Sequence, residues 1–347
     1  MKKIIYIIIF FFISISFTYH YYLNFSRKAF FAQKFIDNNL IKSNIYPKDI
    51  IEEKILFKKQ NFSKWPCKYK KIAIPKFSSF QIYQKNIFLI SKKINAKITS
   101  CEKENSCNIS IKLNDKNIYF LTLIKKPSLV LIIDDFGYGK KIAQKFLNLK
   151  NIGLTFSILP HLPYSLQIAQ IAQKNGFEII LHLPMEPCEK HLKKIMEKQT
   201  IMNYMQKEEI EKIVQKGIKS MPEIKGVNQH MGSKIIQNKK IMEIILTELK
   251  KENLYFIDSL TNSKSVVKML AKEIGIQINT NNLFIDNKKD IVCIKEMLNK
   301  LVLRSLKKGE VIGIGHVNEI TFQAIKESIP LFKNKDVWLF YASQLVK

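Results

Sequence analysis

The chain of 347 residues has almost no arginine: of its 57 basic residues only Arg27 and Arg304 are not lysine. A formal net charge of +28 would ordinarily point to nucleic acid or an anionic surface. The guanidinium, however, is the group that makes bidentate contacts to phosphates and bases, and it is nearly missing. The lysines are scattered among Ile and Asn through every helix-like segment rather than gathered into a stripe. That pattern fits an AT-rich coding bias, and no nucleic-acid partner is expected. Cysteine is also sparse. None of the five has a partner at two-residue spacing, so no cysteine metal motif is present. Cys101 and Cys107 bracket the polar stretch Glu102–Ser106 and, outside the cytoplasm, would suit a stapled hairpin, with Cys67 as a competing partner. Cys188 and Cys293 read as packed or half-exposed thiols. No repeat of solenoid period and no low-complexity linker interrupts the chain.

What is present falls into three parts. Lys2-Lys3 precede the apolar run Ile4–Phe17, which with its aromatic tail approaches the ~20 residues that span a bilayer. No small-x-small cleavage pattern follows, so an uncleaved anchor over residues 1–25 is favoured over a cleaved signal, with the rest of the chain on the extracytoplasmic, periplasmic or cell-surface, side. Residues 26–126 read as a small α+β region, with a helix at Lys28–Ile41, a helical or mixed stretch at Ser79–Ile94, and strands at Asn108–Leu113 and Ile118–Ile124. Residues 127–347 suffice for one α/β domain. Its helices are placed at Pro163–Asn175, Lys207–Ser220, Asn238–Asn253 and Ser263–Ile274, and a last strand near Asp336–Tyr341.

Five short apolar runs in that domain each end in a carboxylate or an imidazole. They deliver Asp134-Asp135, His182, Asn228-Gln-His230-Met-Gly-Ser233, Asp258-Ser259 and His316. Alternation of strand-like and helix-like segments is how a parallel sheet or barrel is written, and such folds place chemistry at the C-terminal ends of their strands. Adjacent acids repel unless a cation or a proton intervenes. Glycines beside His230 and His316 clear space for close approach. His161 and His191 sit in polar loops and read as surface, and His20 belongs to the anchor. Asp135-Phe136-Gly137 matches a kinase magnesium motif, but no glycine-rich loop or catalytic-loop motif accompanies it. A phospho-receiver would end its third strand in Asp, where this chain has His182.

In Ile132–Gly137, Leu181–Pro187, Gly226–Ser233, Phe256–Ser259 and Gly313–His316, taken in order, the chain from about residue 128 to 345 resembles the divergent polysaccharide deacetylase family. That family is a remote branch of the deacetylases that act on chitin oligomers and peptidoglycan. The resemblance implies a distorted (β/α) barrel of about seven strands. It implies Asp134 as catalytic base, His316 as acid, and a divalent metal, zinc by expectation, on Asp135, His182 and His230. Better-known relatives draw both metal histidines from one His-x-x-x-His stretch; here the position four after His182 is Glu186, so His230 must come from another strand. Their base-orienting arginine has no counterpart, and a second late His is replaced by Asn318. Asn228, Ser233 and Glu186 are weaker candidates for supporting or substrate contacts. Asp258 would orient a histidine or cap a helix, and Asp286 has a similar strand-end setting. The expected partner is a cell-envelope glycan. Two functions follow: a metal-dependent deacetylase of N-acetyl groups, or a catalytically silent glycan-binding or envelope-organising protein on the same fold.

Overall fold

The computed structural model describes residues 24–60, 63–149 and 152–347. Their contacts divide the chain into two compact units that meet at Lys125 and Lys126.

In the first unit a helix over residues 24–39, α1, precedes a five-stranded sheet. Its strands are β1 (Ile50–Gln60), β2 (Ser63–Pro75), β3 (Lys97–Lys103), β4 (Ser106–Leu113) and β5 (Lys116–Lys126), in the order β1-β2-β5-β4-β3. Strand β1 pairs antiparallel with β2, β3 with β4, and β4 with β5. Helix α2 (Phe80–Lys92) starts where the Ser79 hydroxyl accepts from the Gln81 amide. Ile36, Tyr83, Ile87, Ile109, Ile111 and Leu123 belong to its buried core. Sequence reading missed β1 altogether. Its alternation is hidden because both faces of an edge strand carry charge and apolar residues alike.

The disulfide expectation is corrected here. In the β3–β4 register Cys101 lies opposite Asn108, and Cys107 opposite Glu102. Successive side chains in a strand point to opposite faces, so Cys101 is exposed and Cys107 is buried, and both are free thiols.

The second unit is an α/β fold around a parallel sheet. Its strands are β6 (Ser128–Phe136), β7 (Leu154–Ile158), β8 (Glu178–Met185), β9 (Gly226–Met231), β10 (Tyr255–Asp258), β11 (Ile278–Thr280), β12 (Leu283–Phe284), β13 (Glu310–His316) and β14 (Trp338–Phe340). Every residue of β8 and nearly every residue of β6 is buried. That is the signature of parallel strands covered on both faces. The covering helices include α3 (Lys140–Leu147), α4 (Ser165–Lys174), α5 (Lys207–Lys219), α6 (Lys239–Lys251), α7 (Val267–Ile274), α8 (Ile291–Lys308) and α9 (Glu319–Asn334). Their apolar stripes, such as Ile241, Ile245 and Leu249 of α6, enter one continuous core. Full burial of each such side chain contributes about 1.5–3 kcal/mol over exposure.

The expected distorted barrel of about seven strands is corrected. The sheet is curled and only partly barrel-like, with eight strands in the order β11-β10-β9-β8-β7-β6-β13-β12 and β14 beside β6. The two ends of that order, β11 and β12, are three and two residues long and separated only by Asn281 and Asn282. Strands that short leave no periodicity to read.

The expected membrane segment is corrected as well. No helix among the described residues is long and apolar enough to cross a membrane. The run Ile4–Phe17 and His20 lie outside the described residues. The anchor, and with it the membrane as a partner and the extracytoplasmic location, has no support among the described residues.

Candidate metal centre

Chemistry collects at the C-terminal ends of β6, β8, β9 and β13. Adjacent residues of a regular strand point to opposite faces, so Asp134 and Asp135 should diverge. They do not, because the pairing of β6 with β7 slips between Ile133 and Phe136. Asp135 takes a left-handed backbone, φ 69°, which is costly for a side chain with a Cβ and is characteristic of functional sites. The bulge turns both carboxylates towards His182 Nε2: Asp134 Oδ2 lies 3.8 Å from it and Asp135 Oδ1 3.2 Å.

His230 joins them from β9. Its Nδ1 is 3.1 Å from Asp135 Oδ1 and 3.1 Å from His182 Nε2. Three potential ligand atoms thus form a triangle with edges of 3.1 to 3.2 Å. His230 reaches inward because the chain turns immediately after it, with Met231 at φ 56° and Gly232 at φ 77°.

The environment of this triangle fits a cation. His182 Nδ1 lies 2.8 Å from Asn228 Oδ1. An amide oxygen only accepts, so Nδ1 carries the proton and Nε2 presents a lone pair in the neutral ring. Asp135 Oδ1 is buried and makes no hydrogen bond. Lone pairs facing one another at this distance repel, and a positive charge between them resolves the conflict. Ligands at about 2.0–2.1 Å in tetrahedral arrangement lie about 3.3 Å apart, close to the edges seen. Burial works to raise the Asp135 carboxyl, but the imidazoles of His182 and His230 overcome it and hold the group well below the carboxylate range. Burial likewise works to lower His182, and Asp134 and Asp135 more than offset it, raising the imidazole. The pocket is electronegative enough to hold a proton or a metal.

Asn228 is the hub. Its Oδ1 also accepts from the Ser157 hydroxyl at 2.6 Å, and its Nδ2 donates to Asp134 Oδ1 at 2.9 Å. One buried amide therefore ties a candidate ligand to the neighbouring carboxylate. Ser157 was missed in the sequence, and its only signal is a hydroxyl inside the apolar strand Leu154–Ile158.

His316 ends β13 directly opposite Asp134 in the register of β6. Asp286 grips it: Oδ1 faces the ring Nδ1 at 2.9 Å, while Oδ2 accepts from the His316 amide at 2.6 Å and the Thr321 hydroxyl at 2.6 Å. Burial would depress this imidazole, but Asp286, reinforced by Asp134 and Asp135, pushes it up to about 9. Asn318 caps α9 by accepting from the Thr321 amide, and its Nδ2 reaches the His316 carbonyl at 3.2 Å. Gly315 lets β13 lie here, since a Cβ would stand 2.8 Å from Ile285.

The remaining candidates lie apart from the triangle. Asp258 orients no histidine. It accepts from Gln229 Nε2, the Leu260 amide and the Ser265 hydroxyl, which fixes the turn after β10. Glu186 is buried and accepts from Lys193, Lys234 and the Asn203 amide, tying down the segment after β8. Ser233 accepts from the Cys188 amide and donates to Glu189. His161 and His191 are exposed.

Residues 131–346 match the family model described as divergent polysaccharide deacetylase. The chain belongs to the divergent polysaccharide deacetylase family. Among curated proteins it is similar to Uncharacterized protein YibQ of Escherichia coli (strain K12), with 29% identity over 218 residues, 63% of this chain and 67% of that protein. A protein of Haemophilus influenzae (strain ATCC 51907 / DSM 11121 / KW20 / Rd) is 28% identical over 230 residues, 64% of this chain and 80% of its own length. Among solved structures, uncharacterized protein ATU2773 of Agrobacterium tumefaciens C58 superposes with a TM-score of 0.61 at 17% identity, covering 63% of this chain and 89% of that one. That likeness shows a shared fold. In this member of the family the two histidines of the triangle stand on separate strands, β8 and β9, whose register sets His182 beside Asn228 and Pro184 beside His230.

Proposed function

We propose that the second unit is a metal-dependent hydrolase that removes N-acetyl groups from an envelope-type glycan. The triangle of Asp135 Oδ1, His182 Nε2 and His230 Nδ1, flanked by a carboxylate and an imidazole, carries this reading. Two imidazoles and one carboxylate are a donor set of catalytic zinc, and we assign zinc as the metal. Bound there, zinc supplies a water of lowered pKa and polarises the amide carbonyl.

The chain's own residues do the rest. Asp134, its Oδ1 held by Asn228, is the base that takes the proton of the attacking water through Oδ2. His316, kept protonated by Asp286 up to about pH 9, donates to the departing amine. Asp286 fixes the direction of that proton by holding Nδ1, which leaves Nε2 as the donating atom.

The rival reading, a silent glycan-binding protein, rests on the missing arginine and on the changed metal motif, in which Glu186 stands four residues after His182. Against the first point, the Asn228 amide donates to Asp134, the proposed base. Metal analysis of purified protein, with acetate release from a panel of N-acetylated glycans, tests the proposal. Stoichiometric metal with acetate release is expected. Metal without release from any glycan would favour the silent reading, and absence of bound metal would overturn the site itself.

A further inference from the structure

An unpartnered strand edge in the first unit has a self-complementary sequence. Strand β1 is eleven residues long and stands at the end of its sheet, and nothing among the described residues pairs with its outer side. From Glu52 to Gln60 every residue is exposed. Ile55, Leu56 and Phe57 sit in its middle, 48, 46 and 63% exposed. Ile55 and Phe57 face Phe30 and Phe31 of α1 across an apolar cavity of about 720 Å³ that Pro66 also lines. Exposed edges of this length are templates for further pairing, and folded proteins normally blunt or cover them.

We propose that β1 pairs antiparallel with β1 of a second copy of this chain, about a two-fold axis at Leu56. The register follows from symmetry. Hydrogen-bonded and non-bonded pairs alternate along an antiparallel ladder, so a two-fold axis must set one residue against its own copy. With Leu56 on the axis, Glu53 meets Lys59 and Ile55 meets Phe57, each twice and on the face that α1 lines. An axis at Ile55 sets Glu53 against Phe57 and Ile51 against Lys59. An axis at Phe57 sets Ile55 against Lys59 and Leu56 against Lys58. Only the Leu56 register matches apolar to apolar and acid to base on that face. On the other face Lys54 meets Lys58, but Glu52 lies diagonal to that Lys58 and pairs with Lys54 at 3.2 Å. Glu53 leans on Lys68 and Lys70 at 2.8 and 3.1 Å yet remains 38% exposed, open to the second copy's Lys59. The same pairing extends the apolar cover from Ile55 and Phe57 to both copies' Phe30 and Phe31.

The test uses the full-length protein. Sedimentation should give a dimer, and mild oxidation of the Leu56→Cys variant should link two chains through position 56 to itself, as peptide mapping reads directly. The unaltered protein, whose five cysteines lie elsewhere, should show no such link. Phe57→Glu should sediment as a monomer with unchanged circular dichroism, and Lys59→Glu should raise the dimer dissociation constant roughly tenfold. A monomeric full-length protein, or a dimer that survives Phe57→Glu and forms no link through position 56, would overturn the proposal.

Discussion

Asp286 holds His316 at two points, through the ring Nδ1 at 2.9 Å and through the backbone amide at 2.6 Å. A histidine gripped at both ends cannot swing, and its Nε2 keeps one direction. The carboxylate also raises the proton affinity of the ring. Replacing His316 by Ala should lower kcat about 10²–10⁴-fold, the usual worth of a positioned acid, while metal content stays at one per chain.

The same pair sets a pH limit. Because the folded imidazole lies near 9 and an ordinary one at 6.5, the protonated form persists as pH rises and is lost through about 9. The alkaline limb of the pH–rate profile should fall there. In Asp286→Asn the limb should move down towards the ordinary histidine value. A limb that does not move would show that another group supplies the proton.

Metal retention should separate the triangle from its surroundings. His230→Ala and Asp135→Asn each remove a corner and should leave the protein without metal by elemental analysis. Asn228→Ala keeps all three corners but frees the tautomer of His182 and the orientation of Asp134. It should weaken metal binding by about 10–100-fold, as loss of a ligand's supporting hydrogen bond does, and lower kcat as well. An Asn228→Ala protein with full affinity and full rate would remove that residue from the site.

Glu186 offers an acid-side test. Burial works to raise its carboxyl, but Lys193, Lys234 and the Asn203 amide hold it down to about 2. A group depressed in the folded state stabilises above its unfolded value, 4.5 here, and loses that contribution as pH falls towards about 2. Amides of residues 187–205 should therefore exchange faster as pH is lowered through this window, after correction for intrinsic rates. Glu186→Gln should show the faster exchange already at neutral pH.

The strand that carries His316 tolerates no side chain at Gly315, where a Cβ would approach Ile285 to 2.8 Å and Thr321 to 3.2 Å. Gly315→Ala should cost about 1–3 kcal/mol by overpacking, read as a lowered denaturation midpoint. Thiol labelling offers a simpler check on the first unit: Cys101 should react in the folded protein and Cys107 only after unfolding, with no link between them.

The sequence alone determined which polar side chains stand at the strand ends of this protein's second unit. Short apolar runs ahead of Asp134, His182 and His316, and the stretch Gly226–Gln229 ahead of His230, are local signals, and strand ends in a parallel sheet converge whatever the loops between them do. The sequence did not show that Asp134 and Asp135 turn to the same side, because that depends on a bulge set by the pairing of β6 with β7. Nor did it rank Asn228 and Asp286 above Asp258. All three are polar groups at strand ends, and only the register of neighbouring strands decides that Asn228 lands beside His182 while Asp258 closes a turn. The same holds for Cys101 and Cys107, separated by the alternation of one strand. Side-chain type is written locally, whereas which side chains meet is fixed by register, a property of pairs of strands that no single stretch of sequence contains.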